Sequence, residues 1–244
     1  GLVDYGIYRD DKGIKTKMVV NQSRAEKIKD SDENNTIKVI GFDVGEAVNY
    51  SYSFFFLQSA LLKKKAHKNY DFVFKSYNPG TGEPQQIITF TPKKGVEKAL
   101  YEGTIIYDTE KKIIMNVDLK LSPAYRKYAK ASNRLIIHML LKDLSHKSVF
   151  RQVNGNYLLS YSSTYGKAHA WNKFNYDNLY AFKSDLIITD YTDNIADFES
   201  KKKYSGKDLY QRGNKYTEEY WTKNNSLLLT EREEQIIQYI QDKQ

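Results

Sequence analysis

The sequence predicts an α+β protein made mostly of long antiparallel strands, on three observations. Ile113, Met115, Val117, Leu119 and Leu121 recur at every second position, with Asn116, Asp118 and Lys120 between them. One greasy and one wet face at period two is the pattern of a half-buried strand. Two strand-like runs, 147–153 and 157–165, meet at Asn154-Gly155, the pair best suited to a type I′ hairpin turn. Ala47, Tyr50, Phe54, Leu57 and Leu61 are spaced three, four, three and four apart, which gathers them on one face of a helix from about Gly45 to Lys65.

Composition narrows the class. A chain of 244 residues suits a single large antiparallel or α+β unit. At that size, burial of about 70% of the unfolded surface removes the need for disulfides or structural metal. With 40% apolar residues, 21 Tyr and 11 Phe, the chain is too greasy to be disordered. Its 13 Gly and 4 Pro exclude collagen-like and linker compositions. No apolar run reaches the roughly 18 residues of a membrane-spanning helix. Cysteine is absent, which excludes zinc ribbons, dithiol redox motifs and thiol nucleophiles. The chain begins at Gly1 without an initiator Met or an apolar leader, as expected of a processed export signal or of a piece of a longer protein.

Charge is uneven. Against 30 Asp and Glu stand 38 Lys and Arg, a net +8. Residues 217–244 hold six acids and three bases, −3, so the first 216 carry +11. Apart from Lys63-Lys64-Lys65 and Lys201-Lys202-Lys203 the lysines are dispersed. Such cations read as solvated faces, and no nucleic-acid partner is expected.

In chain order, 2–9 and 14–22 form a hairpin around Asp10-Asp11-Lys12-Gly13. Residues 23–36 are polar and read as a loop. Phe55, Phe56 and Leu62 widen the apolar face of the 45–65 helix, which must be buried against something large. Strands 71–77 and 85–91 flank the turn-forming segment 78–84. Tyr101, Gly103, Ile105 and Tyr107 alternate with Glu102, Thr104, Ile106 and Asp108 ahead of the 113–121 stripe. Ser122-Pro123 suits the start of a short helix bearing Tyr125, Tyr128 and Ala129. The run 134–144 fits helix or strand equally. A strand over 178–192 carries Tyr180, Phe182, Leu186 and Ile188 on one side. In the tail, 216–221 begins a helical turn, and Thr230 with Glu233 makes a capping box for a last helix. The domains expected are therefore 1–216 and an acidic helical tail, 217–244.

The search for chemistry returns nothing catalytic. His67, His138, His146 and His169 show no metal-ligand spacing, and His138 sits in an apolar run without a partner for proton transfer. There is no nucleophile elbow, no P-loop and no dinucleotide fingerprint. Asp185 with Asp190 and Asp193 with Asp197 are acid pairs, but glycoside hydrolysis needs acids at a fixed separation across a cleft, which spacing alone does not supply. No catalytic residue, metal or cofactor is expected, and a hydrolase is the least supported class. Tyr-bearing basic strands that stack bases are outweighed by an ordinary core face.

Four blocks follow in order: Asn69-Tyr-Asp-Phe-Val-Phe, Ile87-Ile-Thr-Phe-Thr-Pro-Lys-Lys, Leu100-Tyr-Glu-Gly-Thr-Ile-Ile-Tyr-Asp108 and Ile113-Ile-Met-Asn-Val-Asp-Leu-Lys-Leu-Ser-Pro123. With Asn156-Tyr-Leu-Leu-Ser-Tyr-Ser, Ile187-Ile-Thr-Asp190 and Glu219-Tyr-Trp-Thr-Lys-Asn-Asn225, this order resembles Bacteroidetes cell-envelope proteins that accompany a carboxypeptidase-regulatory-like domain. The sandwich domain itself is absent from this sequence. The strand pattern is also similar to lipoprotein-carrier folds. That resemblance implies a long-stranded antiparallel unclosed β-barrel, a half-barrel, with helices on its concave face and an apolar cavity between. Phe54, Phe55, Leu57, Leu61, Tyr101, Ile105, Tyr107, Met115, Val117 and Leu119 are the expected cavity lining. The function implied is a monomeric, non-catalytic domain of the periplasm, or of the periplasmic face of the outer membrane, that binds a lipid or acyl chain. The alternative is an interaction domain that meets an outer-membrane protein partner and takes no small ligand.

Overall fold

The computed structural model describes residues 1–11, 13–23, 44–63, 65–77, 84–134, 137–194, 196–205 and the single positions 209, 217 and 219. In chain order its elements are β1 (Leu2–Asp10), β2 (Gly13–Gln22), α1 (Val44–Tyr52), α2 (Phe55–Leu57), β3 (Tyr70–Tyr77), β4 (Gln85–Pro92), β5 (Tyr101–Asp108), β6 (Ile113–Leu121), β7 (Ser132–Arg134), β8 (Ile137–Val153), β9 (Asn156–Trp171), β10 (Asp177–Ile187) and α3 (Ala196–Ser200). The loop expected at 23–36, the turn at 78–84 and the tail elements from 216 onward lie almost wholly outside the described residues.

The chain divides into two compact units, Gly1–Asn34 with Ala196–Gln244, and Asn35–Ile195. This differs from the expected 1–216 domain with a tail, because β1 and β2 pair only with each other among the described strands and the chain after β10 returns to them. Lys17 Nζ donates to the carbonyls of Phe198 (2.7 Å) and Glu199 (2.9 Å), at the helix end where carbonyls carry partial negative charge. Lys201 pairs with Asp4 at 2.9 Å, and the Tyr204 N–H donates to the Met18 carbonyl at 2.8 Å.

The second unit is built on one antiparallel sheet of order β10-β9-β8-β6-β5-β4-β3, with short β7 paired to β8 alone. Apart from β6, which pairs with β8 and not with β7, each strand lies beside its successor, and β3 does not pair with β10. The sheet is unclosed. Long β8 and β9 turn at Asn154 (φ 48°) and Gly155 (φ 81°), the two positive φ values that a type I′ turn requires. The ambiguous 134–144 run resolves as the end of β7 and the start of β8. The expected 178–192 strand ends at Ile187.

Two periodic patterns are interrupted. The single 45–65 helix is broken at Phe54, which takes a left-handed conformation (φ 50°, ψ 39°). A π-helical turn, Gln58–Leu62, follows α2, and a 3₁₀ turn, Ala66–Asn69, leads into β3. Ser51 and Ser53 precede the break; the Ser51 hydroxyl donates to the Ala47 carbonyl (3.0 Å) and the Gln58 amide to that of Ser53 (2.6 Å). Polar side chains competing for backbone groups weaken a helix. The left-handed residue costs about 1–2 kcal/mol, offset here by packing of Phe54 on Phe150 (5.4 Å) and Phe56 on His146 (4.7 Å). The second interruption is a register shift between Ile106 and Tyr107, so that Tyr107 opposes Ile114 while Ile106 opposes Asn116. The five-residue stripe is thereby cut: Val117, Leu119 and Leu121 stay in the core, where Ile114, and not Met115, packs with them. The segment after Ser122-Pro123 is a 3₁₀ turn, Pro123–Tyr128. Ser122 does not cap it; its hydroxyl donates to Glu102 Oε2 at 2.6 Å.

Candidate ligand-binding face

Strand registers carry two rows straight across the sheet on the face that meets the helices. One runs Phe74, Ile88, Ile105, Val117, Ser148, Ser162, Leu186. The next runs Phe72, Phe90, Gly103, Leu119, His146, Thr164, Ser184. Leu57 and Leu61 bury themselves on these rows in one cluster with Phe90, Ile105, Val117 and Leu119.

Of the ten expected lining residues, Leu57, Leu61, Ile105, Val117 and Leu119 are core members of that cluster, and Phe54 and Tyr101 pack against it. The other three are not part of it. The break at Phe54 turns Phe55 outward, where it is exposed and stacks on Tyr50 at 4.8 Å. The register shift moves Met115 off the stripe and sets Tyr107 beside Ile114.

Burial falls steadily along the first row toward β3. Val117 is 2% exposed, Ile105 7%, Ile88 half-buried and Phe74 59% exposed. Phe72, half-buried, stacks near Phe74 at 6.4 Å. An apolar row thus leaves the core and emerges at the outer strand, where a hydrocarbon could extend it.

Toward β8 and β9 the same rows become polar. Ser148, Ser162, His146 and Thr164 are all buried. His146 Nδ1 lies 2.9 Å from the Thr164 hydroxyl, and Nε2 lies 2.7 Å from that of Ser148. The Ser51 hydroxyl of α1 lies 2.9 Å from that of Ser162, fastening the helix to the sheet. Burial lowers the His146 pKa to about 4, so the imidazole is neutral near pH 7. This cluster escaped the search by spacing, although His146 with Ser148, and Ser162 with Thr164, alternate on two strands joined by a recognisable turn. Counting outward from Asn154-Gly155 misses the match because the register shifts between Val149 and Phe150.

The Ser148–His146 contact has the geometry of a nucleophile and base, but the second imidazole nitrogen meets Thr164 and not a carboxylate. An imidazole of such low basicity is a poor proton acceptor. In this arrangement the imidazole gives both buried hydroxyls a hydrogen-bond partner. His138 is not a core residue: half-buried, it stacks on Trp171 (5.5 Å) with Asn133 Oδ1 2.6 Å from its Nδ1. His169 stacks on the same indole at 4.6 Å and lies 2.7 Å from Asp177. Among the described residues, no group of three His, Asp or Glu could hold a metal ion. Asp108 is buried at the β5–β6 turn, accepting from the N–H groups of Lys111 (2.9 Å) and Glu110 (3.0 Å) and from the Tyr157 hydroxyl (3.2 Å). It locks a hairpin. Burial pushes the Tyr70 pKa up to about 12, and its hydroxyl accepts the Tyr101 N–H at 3.3 Å.

No protein-family model matches the chain, and neither a curated protein nor a solved structure matches it.

Proposed function

We propose that the Asn35–Ile195 unit is a non-catalytic cell-envelope domain, on the periplasmic side, that holds a lipid or acyl chain against the helix-bearing face of a sheet curved as a half-barrel. The observation that carries this reading is the row from buried Val117 to exposed Phe74. A chain laid on Phe74, Phe72 and Ile88 would continue an apolar surface that the protein's own helices leave open. Each methylene removed from water contributes about 0.8 kcal/mol, so six give about 5 kcal/mol before the cost of ordering the chain. Recognition would be by shape and not by hydrogen bonding. The envelope setting rests on the likeness of the strand blocks to Bacteroidetes envelope proteins.

Titration with a fluorescent fatty acid tests the reading. Phe74→Asp places a charge on the row and is expected to weaken binding about tenfold or more, since a buried unpaired carboxylate is costly. Phe174→Asp, at an exposed position in the β9–β10 loop, should leave it unchanged. Absence of probe binding by the intact chain, or equal effects of the two variants, sinks the proposal. The outer strand favours a second reading as an interaction domain: Val73, Phe74 and Tyr77 are all exposed there, and outer strands accept a partner strand. Retention of an outer-membrane protein by the native chain, lost in Val73→Lys while probe binding persists, distinguishes it.

A further inference from the structure

Three connections of the second unit come together at one end of its sheet: residues 63–69 before β3, 93–100 between β4 and β5, and 122–131 after β6. Antiparallel order places them there, because β3 and β5 begin where β4 and β6 end. Two hydrogen bonds tie them, from the Lys93 N–H to the Asn69 carbonyl (2.8 Å) and from the Tyr125 hydroxyl to the Lys93 carbonyl (2.6 Å).

The first connection exposes Lys63, Lys65 and Lys68. The second exposes Lys93, Lys94 and Lys98, and the third Lys127 and Lys130. None of the eight forms an ion pair with a carboxylate among the described residues. Acids at this end are few. Glu102 is engaged by Lys120 (3.4 Å) and Ser122, and Asp143 by Arg126 (2.9 Å); Asp71 and Glu97 remain exposed. Among the described residues, the turns at the other end, around Glu110-Lys111-Lys112 and Asn154-Gly155, show no such excess.

The patch is not purely ionic. Leu62, next to Lys63, is 65% exposed, and Tyr125 and Tyr128 lie half-buried with ring centroids 6.2 Å apart. Lys127 already covers the Tyr128 ring at 5.0 Å, and the Tyr125 hydroxyl is spent on Lys93. A lysine thus already occupies the Tyr128 ring that a single-stranded base would stack on, and duplex phosphates make no use of an exposed leucine. Clustered lysines with an apolar tip and amphipathic aromatic rings match a lipid interface instead.

We propose that this end of the sheet is a docking surface for a bilayer that carries anionic headgroups. Flotation with phosphatidylcholine vesicles, with and without about a third phosphatidylglycerol, tests it at about 0.1 M and about 0.5 M salt, where screening differs strongly. Binding is expected to the anionic vesicles alone and at low salt alone. Lys68→Glu/Lys93→Glu/Lys94→Glu should reduce the bound fraction about tenfold with unchanged thermal unfolding, because each lysine is solvated. Lys112→Glu/Lys147→Glu/Lys167→Glu, with the same change in net charge, should leave most of it. No flotation, equal binding to neutral vesicles, equal loss in both triple variants, or tighter binding to a short oligonucleotide overturns the proposal. The fatty-acid titration uses no bilayer, so the two proposals fail separately.

Discussion

Lowering the pH from 7 to 4 is expected to remove about 3 kcal/mol of stability through His146 alone. The imidazole is covered by Phe56, flanked by Thr164 and Ser148, and opposed by Leu119 in the register. Burial holds its pKa at about 4, whereas in the unfolded chain it returns to about 6.5. The folded state therefore binds fewer protons between those values, and acid favours unfolding. This contribution is whole above about pH 6.5 and is lost progressively down to about pH 4. Asp108 acts in a lower window. The Lys111 N–H above all holds its carboxyl below the ordinary range, so its stabilisation is present above the unfolded value near 3.9 and disappears only as pH falls below that. Urea unfolding across the upper window should give a falling midpoint for the native chain. His146→Leu/Thr164→Val should flatten that fall while leaving the lower limb in place. An unchanged slope in the double variant would remove His146 from the explanation.

What the sequence made legible, and what it hid, follows from how local each signal is. Asn154-Gly155 states its own backbone conformation, because few residues tolerate positive φ, and the β8–β9 hairpin forms around it as read. The alternation at 101–105 and 117–121 likewise survives, since a slip of one residue would turn every apolar side chain to water. The failures lie where tertiary packing overrides a period. Spacing places Tyr50, Phe54 and Leu61 on one helical face, but it carries no trace of the left-handed conformation at Phe54 itself. Met115 matches the stripe in sequence and leaves it through a register shift set by the neighbouring strand. Half the expected lining residues form the apolar core, whereas the buried hydroxyls around His146 were unread because their meeting requires two strands and a helix at once. The partnership of β1 and β2 with α3 joins residues nearly 200 positions apart, as in Lys17 with Phe198, and no local pattern announces it.

Gly103→Ala is expected to cost about 3 kcal/mol or more, near the upper range for overpacking a core. In the register Gly103 stands between Phe90 and Leu119, each 0% exposed. A Cβ there would sit 2.1 Å from the Asp118 carbonyl oxygen and 2.8 Å from the Leu119 Cα. Both are backbone atoms of the paired strand, so no rotamer change relieves the clash, and β5 must move away from β6. A glycine inside a strand often marks such a close approach. Gly155→Ala provides the comparison: its φ is +81° with nothing within 4 Å of the added carbon, so only left-handed strain of about 1–2 kcal/mol is expected. Urea midpoints of the two variants should separate by that difference. Leu119→Ala added to Gly103→Ala should not rescue it, because alanine keeps the offending Cα and the carbonyl of Asp118 is untouched. Recovery in the double variant would show that the crowding comes from the leucine side chain and that β5 and β6 can part without loss.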